Sequence, residues 1–163
     1  MQTKHSEIIV LMAGFVAAVA LVGCSGAKSA NGTAAGQATE PVNTTITTTL
    51  KEFSITPSTA TAKAGEVKFV VNNAGTTTHE FIVIKSDLAP DKLPVFAAGD
   101  TPAEGHVVGD VDEDKLTATG ELDDINPKDT KDVTFKLTPG KYILLCNLPA
   151  HYKSGMVTTF TVQ

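Results

Sequence analysis

Apolar residues fall in short clusters along most of this chain, and they alternate more often than they recur at helical spacing. Glu66 to Asn72 places Val67, Phe69 and Val71 at every second position, which puts all three on one face of a strand. Asp132 to Leu137 repeats the pattern with Val133, Phe135 and Leu137. Ile46 to Phe53 is Thr-rich and partly alternating, with Ile46, Leu50 and Phe53 apolar. Two runs, Phe81 to Ile84 and Lys141 to Cys146, are almost unbroken in hydrophobicity. That is expected of strands covered on both faces or lying in a sandwich core. Val157 to Val162 makes a last strand, and Ala64-Gly65, Asn73-Ala74-Gly75 and Pro139-Gly140 supply turns. Short strands with turn punctuation and no long helical period predict an all-β domain, a β-sandwich, from Thr45 to Gln163.

One region breaks the pattern. Ser86 to Lys131 is rich in Pro, Gly and acidic residues, and it predicts a long acidic loop inserted into the sandwich, with Val107-Val108 and Leu116 to Leu122 as candidate short strands. Its Asp110-x-Asp112-x-Asp114 spacing lacks the Gly and the later Glu of a calcium-binding EF-hand loop. A solvated acidic face is the better reading, and such a face could steer a cationic partner.

The N-terminus reads differently again. Ile8 to Val22 is wholly apolar or small, but it falls short of the roughly 20 residues that span a bilayer, as a signal-peptide core does. It ends in Leu21-Val22-Gly23-Cys24, which resembles the lipobox of bacterial lipoproteins. That resemblance implies a signal peptide over residues 1–23, a lipidated Cys24, and a protein anchored outside the cytoplasm, on the periplasmic side or the cell surface. Residues 24–44 are small and polar and predict a flexible linker. The domain then occupies residues 45–163.

Charge and cysteine usage narrow the function. The formal net charge is −5 and every basic side chain is Lys, so no basic, Arg-bearing stripe exists to bind nucleic acid. A lipidated Cys24 cannot form a disulfide, which leaves Cys146 as the only thiol of the mature chain. A lone thiol in an oxidising compartment needs protection or a use, and metal ligation provides both.

Cys146 belongs to the stretch Cys146-x4-His151-x4-Met156. One thiolate, two imidazoles and a weak axial thioether are the donors of a blue-copper site. The thiolate is soft and favours Cu(I), the imidazoles suit both oxidation states, and a weak thioether avoids over-stabilising Cu(II). The second imidazole must come from His5, His79 or His106. His5 lies in the signal and His106 in the acidic loop. His79 opens the apolar strand Phe81 to Ile84, and strand ends are where a sandwich presents ligands, so His79 is preferred.

Gly75…His79-Glu80-Phe81 together with Pro139-Gly140-Lys141-Tyr142 and Cys146-x4-His151-x4-Met156 resembles the cupredoxins, the small blue copper proteins, and within them the sulfocyanin-like and nitrite-reductase-type loops more than plastocyanin. The resemblance covers about residues 45–163. It implies a Greek-key β-sandwich, one type 1 copper held by His79, Cys146, His151 and Met156, and one-electron transfer to redox partner proteins by a monomer. Two departures stand out. Glu80 occupies a position where plastocyanin-like members often carry an Asn that pins the ligand loop, so Glu80 is expected to bond across to the Asn147 region. Pro149-Ala150 replaces the frequent Pro-Gly before the second histidine. No His-x-His pair of a copper oxidase is present, and the loop holds one Cys rather than the two of a binuclear site. A carrier rather than an enzyme is therefore expected. The alternative is a copper-binding or copper-delivery lipoprotein, but the single Met of the mature domain argues against a Met-rich chaperone surface.

Overall fold

A computed structural model describes residues 44–163; the expected signal peptide and residues 24–43 of the expected linker, with His5 and Cys24, lie outside the described residues, and Thr44, expected to end the linker, opens the first strand. Nine strands follow one another: β1 (Thr44–Lys51), β2 (Ser54–Pro57), β3 (Thr61–Ala62), β4 (Gly65–Asn73), β5 (His79–Lys85), β6 (Ala118–Ile125), β7 (Thr130–Leu137), β8 (Gly140–Leu145) and β9 (Val157–Val162). They form a four-stranded sheet in the order β2-β1-β4-β7 and a five-stranded sheet in the order β3-β9-β8-β5-β6. Both sheets are mixed, because β1 runs parallel to β4 and β3 parallel to β9. No helix among the described residues is long and apolar enough to cross a membrane.

The alternating strands meet face to face. Val67, Phe69 and Val71 of β4 and Ile46 and Leu50 of β1 bury against Phe81 and Val83 of β5, Leu144 of β8 and Phe160 of β9. The Phe69 ring lies at the centre, with centroids 5.2 Å from Phe81 and 5.5 Å from Phe160.

The two continuous apolar runs are covered on both faces. Ile82 and Ile84 of β5 and Ile143 and Leu145 of β8 point away from the main core into a second cluster with Leu93, Val111 and Tyr152. The cover is the connection between β5 and β6. This corrects the extent of the expected acidic loop. The irregular part covers residues 86–117, with single 3-10 turns at Pro90–Lys92 and Glu113–Lys115, while Ala118–Ile125 is a full strand paired with β5. Val107-Val108 is not a strand; Val108 makes only an isolated bridge with Asp110.

Candidate metal centre

Five segments converge at one end of the sandwich. The ends of β1 and β4 lie side by side, with Leu50 opposite Asn73. The start of β5 faces the end of β6, with His79 opposite Ile125. The β8–β9 loop leaves and re-enters the same sheet, with Leu145 opposite Val157. Every residue of the predicted ligand set falls here.

His79, the first residue of β5, and Cys146, immediately after β8, are fully buried, as is Met156 just before β9. His151 in the loop between is half-buried. One donor atom each from His79, Cys146 and His151 lies within 4.8 Å of the others. Nδ1 of His151 is 3.3 Å from Nδ1 of His79 and 3.2 Å from Sγ of Cys146. Two imidazole nitrogens and a sulfur turned on one point form a donor set suited to copper or another soft-to-borderline cation. Met156 joins through the backbone, where its carbonyl accepts the Cys146 amide at 3.1 Å, and its side chain shares the core cluster of Cys146. His106 is elsewhere: its ring lies 6.0 Å from that of Phe96, and its Nδ1 is 3.8 Å from the Asp110 carboxylate.

Burial sets the protonation of these groups. It pushes the Cys146 thiol up to about 11, against the Glu80 and Leu148 amides that favour the thiolate. It lowers both imidazoles, and for His79 the neighbouring His151 lowers it further. Both rings are therefore neutral near pH 7, with lone pairs free to bind a cation.

The loops are fixed by polar side chains that bond to their backbone. The Asn147 amide donates to Oε1 of Glu80, and the Glu80 amide points at Sγ of Cys146, 3.4 Å away. Glu80 is raised to about 7 by burial and by Glu113, Asp123 and Glu121, against the Asn147 hydrogen bond. The Asn147 side chain accepts the Val111 amide at 2.7 Å and donates to the Val111 carbonyl at 3.0 Å and to Glu113 at 2.7 Å. Asn147 thus pairs with the β5–β6 connection much as a strand neighbour would.

Several contributors carried no local signal in the sequence. Asn73, fully buried, donates to the carbonyls of Thr77 and Ile125 and accepts the Gly75 amide, all within 2.7–2.9 Å. It was visible only as part of a turn. Asp110 accepts the Ala150 amide at 2.9 Å and the Val107 amide at 2.8 Å. The first contact holds Ala150 at φ 65°, a left-handed conformation that costs an L-residue roughly 1–2 kcal/mol. This is where the sequence has Ala in place of the expected Gly. Tyr152 donates its hydroxyl to the Pro90 carbonyl at 2.6 Å. From the β1–β2 turn, Phe53 stacks edge-on against His151 with centroids 5.0 Å apart. Beside it Glu52 accepts the amides of Thr76 and Thr77 and sits 3.6 Å from Nε2 of His79. Those hydrogen bonds hold its carboxyl down at about 2.

Residues 42–163 match the family described as copper binding proteins of the plastocyanin/azurin type. The chain belongs to this family. Proteins of this family are electron carriers, not enzymes. Solved structures agree on the fold. Auracyanin B is 22% identical over 76% of this chain and 91% of its own, with a TM-score of 0.52. The copper protein rusticyanin is 16% identical over 74% of this chain and 78% of its own, with a TM-score of 0.50. None of the curated proteins searched matches the sequence.

Proposed function

We propose that the chain is a one-electron carrier that would hold a single type 1 copper, with His79, Cys146 and His151 as the strong ligands and the thioether of Met156 as a weak fourth donor. The observation that carries this reading is the convergence of His79, Cys146 and His151, with one donor atom of each within 4.8 Å of the others and His151 Nδ1 3.3 Å from His79 Nδ1 and 3.2 Å from Cys146 Sγ. Bound copper supplies the couple between Cu(I) and Cu(II). The side chains do the rest. Cys146 and His79 exclude water because they are fully buried, and the Glu80 amide directed at Sγ moderates the thiolate's charge. Loops fixed through Asn73, Asn147 and Asp110 hold the donors in one arrangement, which keeps their movement small when an electron arrives.

His151 is the donor nearest solvent. Its ring is flanked by Phe53, which is 42% exposed, and its loop carries Leu148, Pro149 and Ala150. This apolar rim suits brief contact with a redox partner protein. The proposal includes its location: through a lipid on Cys24, the last residue of the lipobox, the carrier is tethered at the outer face of a bacterial membrane. Visible absorption tests the centre: on addition of Cu(II) the whole chain should turn intensely blue through its copper–thiolate bond and bleach on reduction. A copper-loaded protein that stays colourless would overturn the assignment.

A further inference from the structure

The β1–β2 turn reaches the metal centre from the opposite sheet, and its carboxylate occupies a seat shaped for it. Oε1 of Glu52 takes the amides of Thr76 and Thr77, the latter at 2.8 Å, together with the Thr77 hydroxyl at 3.1 Å. These residues form the loop that leads into His79. Gly75 leaves the space: a methyl carbon placed there would lie 2.5 Å from Oε1 and 2.8 Å from Oε2, closer than real carbon–oxygen contacts allow. The His79 ring lies beside the same oxygen. Its Nδ1 is turned to His151, 3.3 Å from that ring's Nδ1, so its Nε2 faces the other way, fully buried and without a hydrogen-bond partner among the described residues. The nearest acceptor is Glu52 Oε1, at 3.6 Å, somewhat longer than the roughly 2.7–3.2 Å of an N–H···O bond.

The chemistry of an imidazole ligand settles which atom needs a partner. A ring that binds a cation through Nδ1 must carry its proton on Nε2, and ligating histidines characteristically donate that proton to a carboxylate or carbonyl. We propose, building on the copper reading above, that Glu52 is the acceptor for Nε2–H of His79 and that its negative charge lowers the reduction potential of the centre. A charge-assisted bond of this kind makes the imidazole a stronger donor. A stronger donor beside a fixed anion favours Cu(II) over Cu(I). Glu52 is thus a positioning residue with two tasks: it fixes the approach loop through Thr76 and Thr77, and it sets the electron density of the ligand that follows.

The two tasks separate experimentally. Glu52→Gln keeps an oxygen acceptor for the threonine amides and removes the charge. In a redox titration of the whole copper-loaded chain followed by its visible band, this variant should keep the band and show a higher potential. The expected rise is at least about 59 mV, which is a tenfold shift in relative affinity toward Cu(I) for a one-electron couple. Gly75→Ala displaces the carboxylate without altering its charge, and it should raise the potential in the same direction by less. Nitrogen-15 NMR of the zinc-loaded chain provides a reading independent of copper. The His79 Nε2–H should be downfield and slow to exchange in the native protein and lose both properties in Glu52→Gln. Unchanged potentials in both variants with the band intact, or a His79 proton indifferent to Glu52, would overturn the proposal. A native chain that never turns blue would instead overturn the copper reading, and the zinc-loaded measurement would still decide the Glu52–His79 contact.

Discussion

At the scale of the residue, Cys146 combines two opposed requirements. It must be buried to keep water and oxidants away, and burial pushes its thiol up to about 11. It must also be a thiolate to bind a metal. Binding a cation therefore expels its proton. Below the thiol's pKa, and with both imidazoles already neutral, apparent copper affinity should climb about tenfold per pH unit between pH 7 and 9. Competition titrations against a chelator of known pH dependence check this, and the slope should vanish in Cys146→Ser. In the metal-free protein the shift works on stability with its own sign. The thiol's pKa is raised above its ordinary value of 9.0, so the folded state is favoured at lower pH and loses that advantage as pH rises from 9 toward 11. Ala150 shows a similar trade at the backbone, where a left-handed residue is held by a hydrogen bond to Asp110.

At the scale of the element, the β5–β6 connection has the most distinctive role. It caps the outer face of the five-stranded sheet and bonds the ligand loop at three points, through Asn147, Asp110 and Tyr152. Asn147→Ala leaves the buried Val111 amide and carbonyl without their partners, a loss of about 1–3 kcal/mol. Denaturant unfolding should register that loss, and limited proteolysis should begin within residues 86–117. Much of this architecture was legible in the sequence. Strands such as β4 and β9 announced themselves because one face of each is buried. The unbroken runs of β5 and β8 correctly implied cover on both sides. β6 was visible only as the candidate strand Leu116 to Leu122, displaced by two to three residues from Ala118–Ile125, because Ile125 is its only fully buried residue and Leu122 is only half-buried. β2 and β3 are short edge strands of four and two residues, below the length at which alternation can be seen. Cys146, His151 and Met156 stood out as candidates because Cys, His and Met are rare here and these three lie close in sequence, whereas His79, 67 residues before Cys146, was reached only by weighing it against the other histidines. Glu52 and Asp110 were not, since their contacts with the site run through space from distant turns.

At the scale of the molecule, two clusters lie on either side of one sheet and the metal centre sits at the end of the larger. Phe69 is the hub of that larger core, ringed by Phe81, Phe135 and Phe160. It pairs with Ile46 and Val133 in mid-sheet, away from the ligand end. Phe69→Ala should cost about 3–5 kcal/mol in chemical unfolding while the visible band of the copper-loaded protein stays in place. A band lost together with stability would show that the centre depends on core packing and not only on its loops. The hydrogen bonding of those loops has a further consequence, for the way the protein breathes. The amides of Cys146, Asn147, Ala150 and His151 all donate inward, to Met156, Glu80, Asp110 and Leu148, so none of them relies on water for a partner. Surface loops ordinarily open on their own, at little free-energy cost. This one is bonded within itself, to β5 and to the cap behind it, so these four amides should exchange with solvent far more slowly than those of an unbonded surface loop, which hydrogen-exchange measurements check.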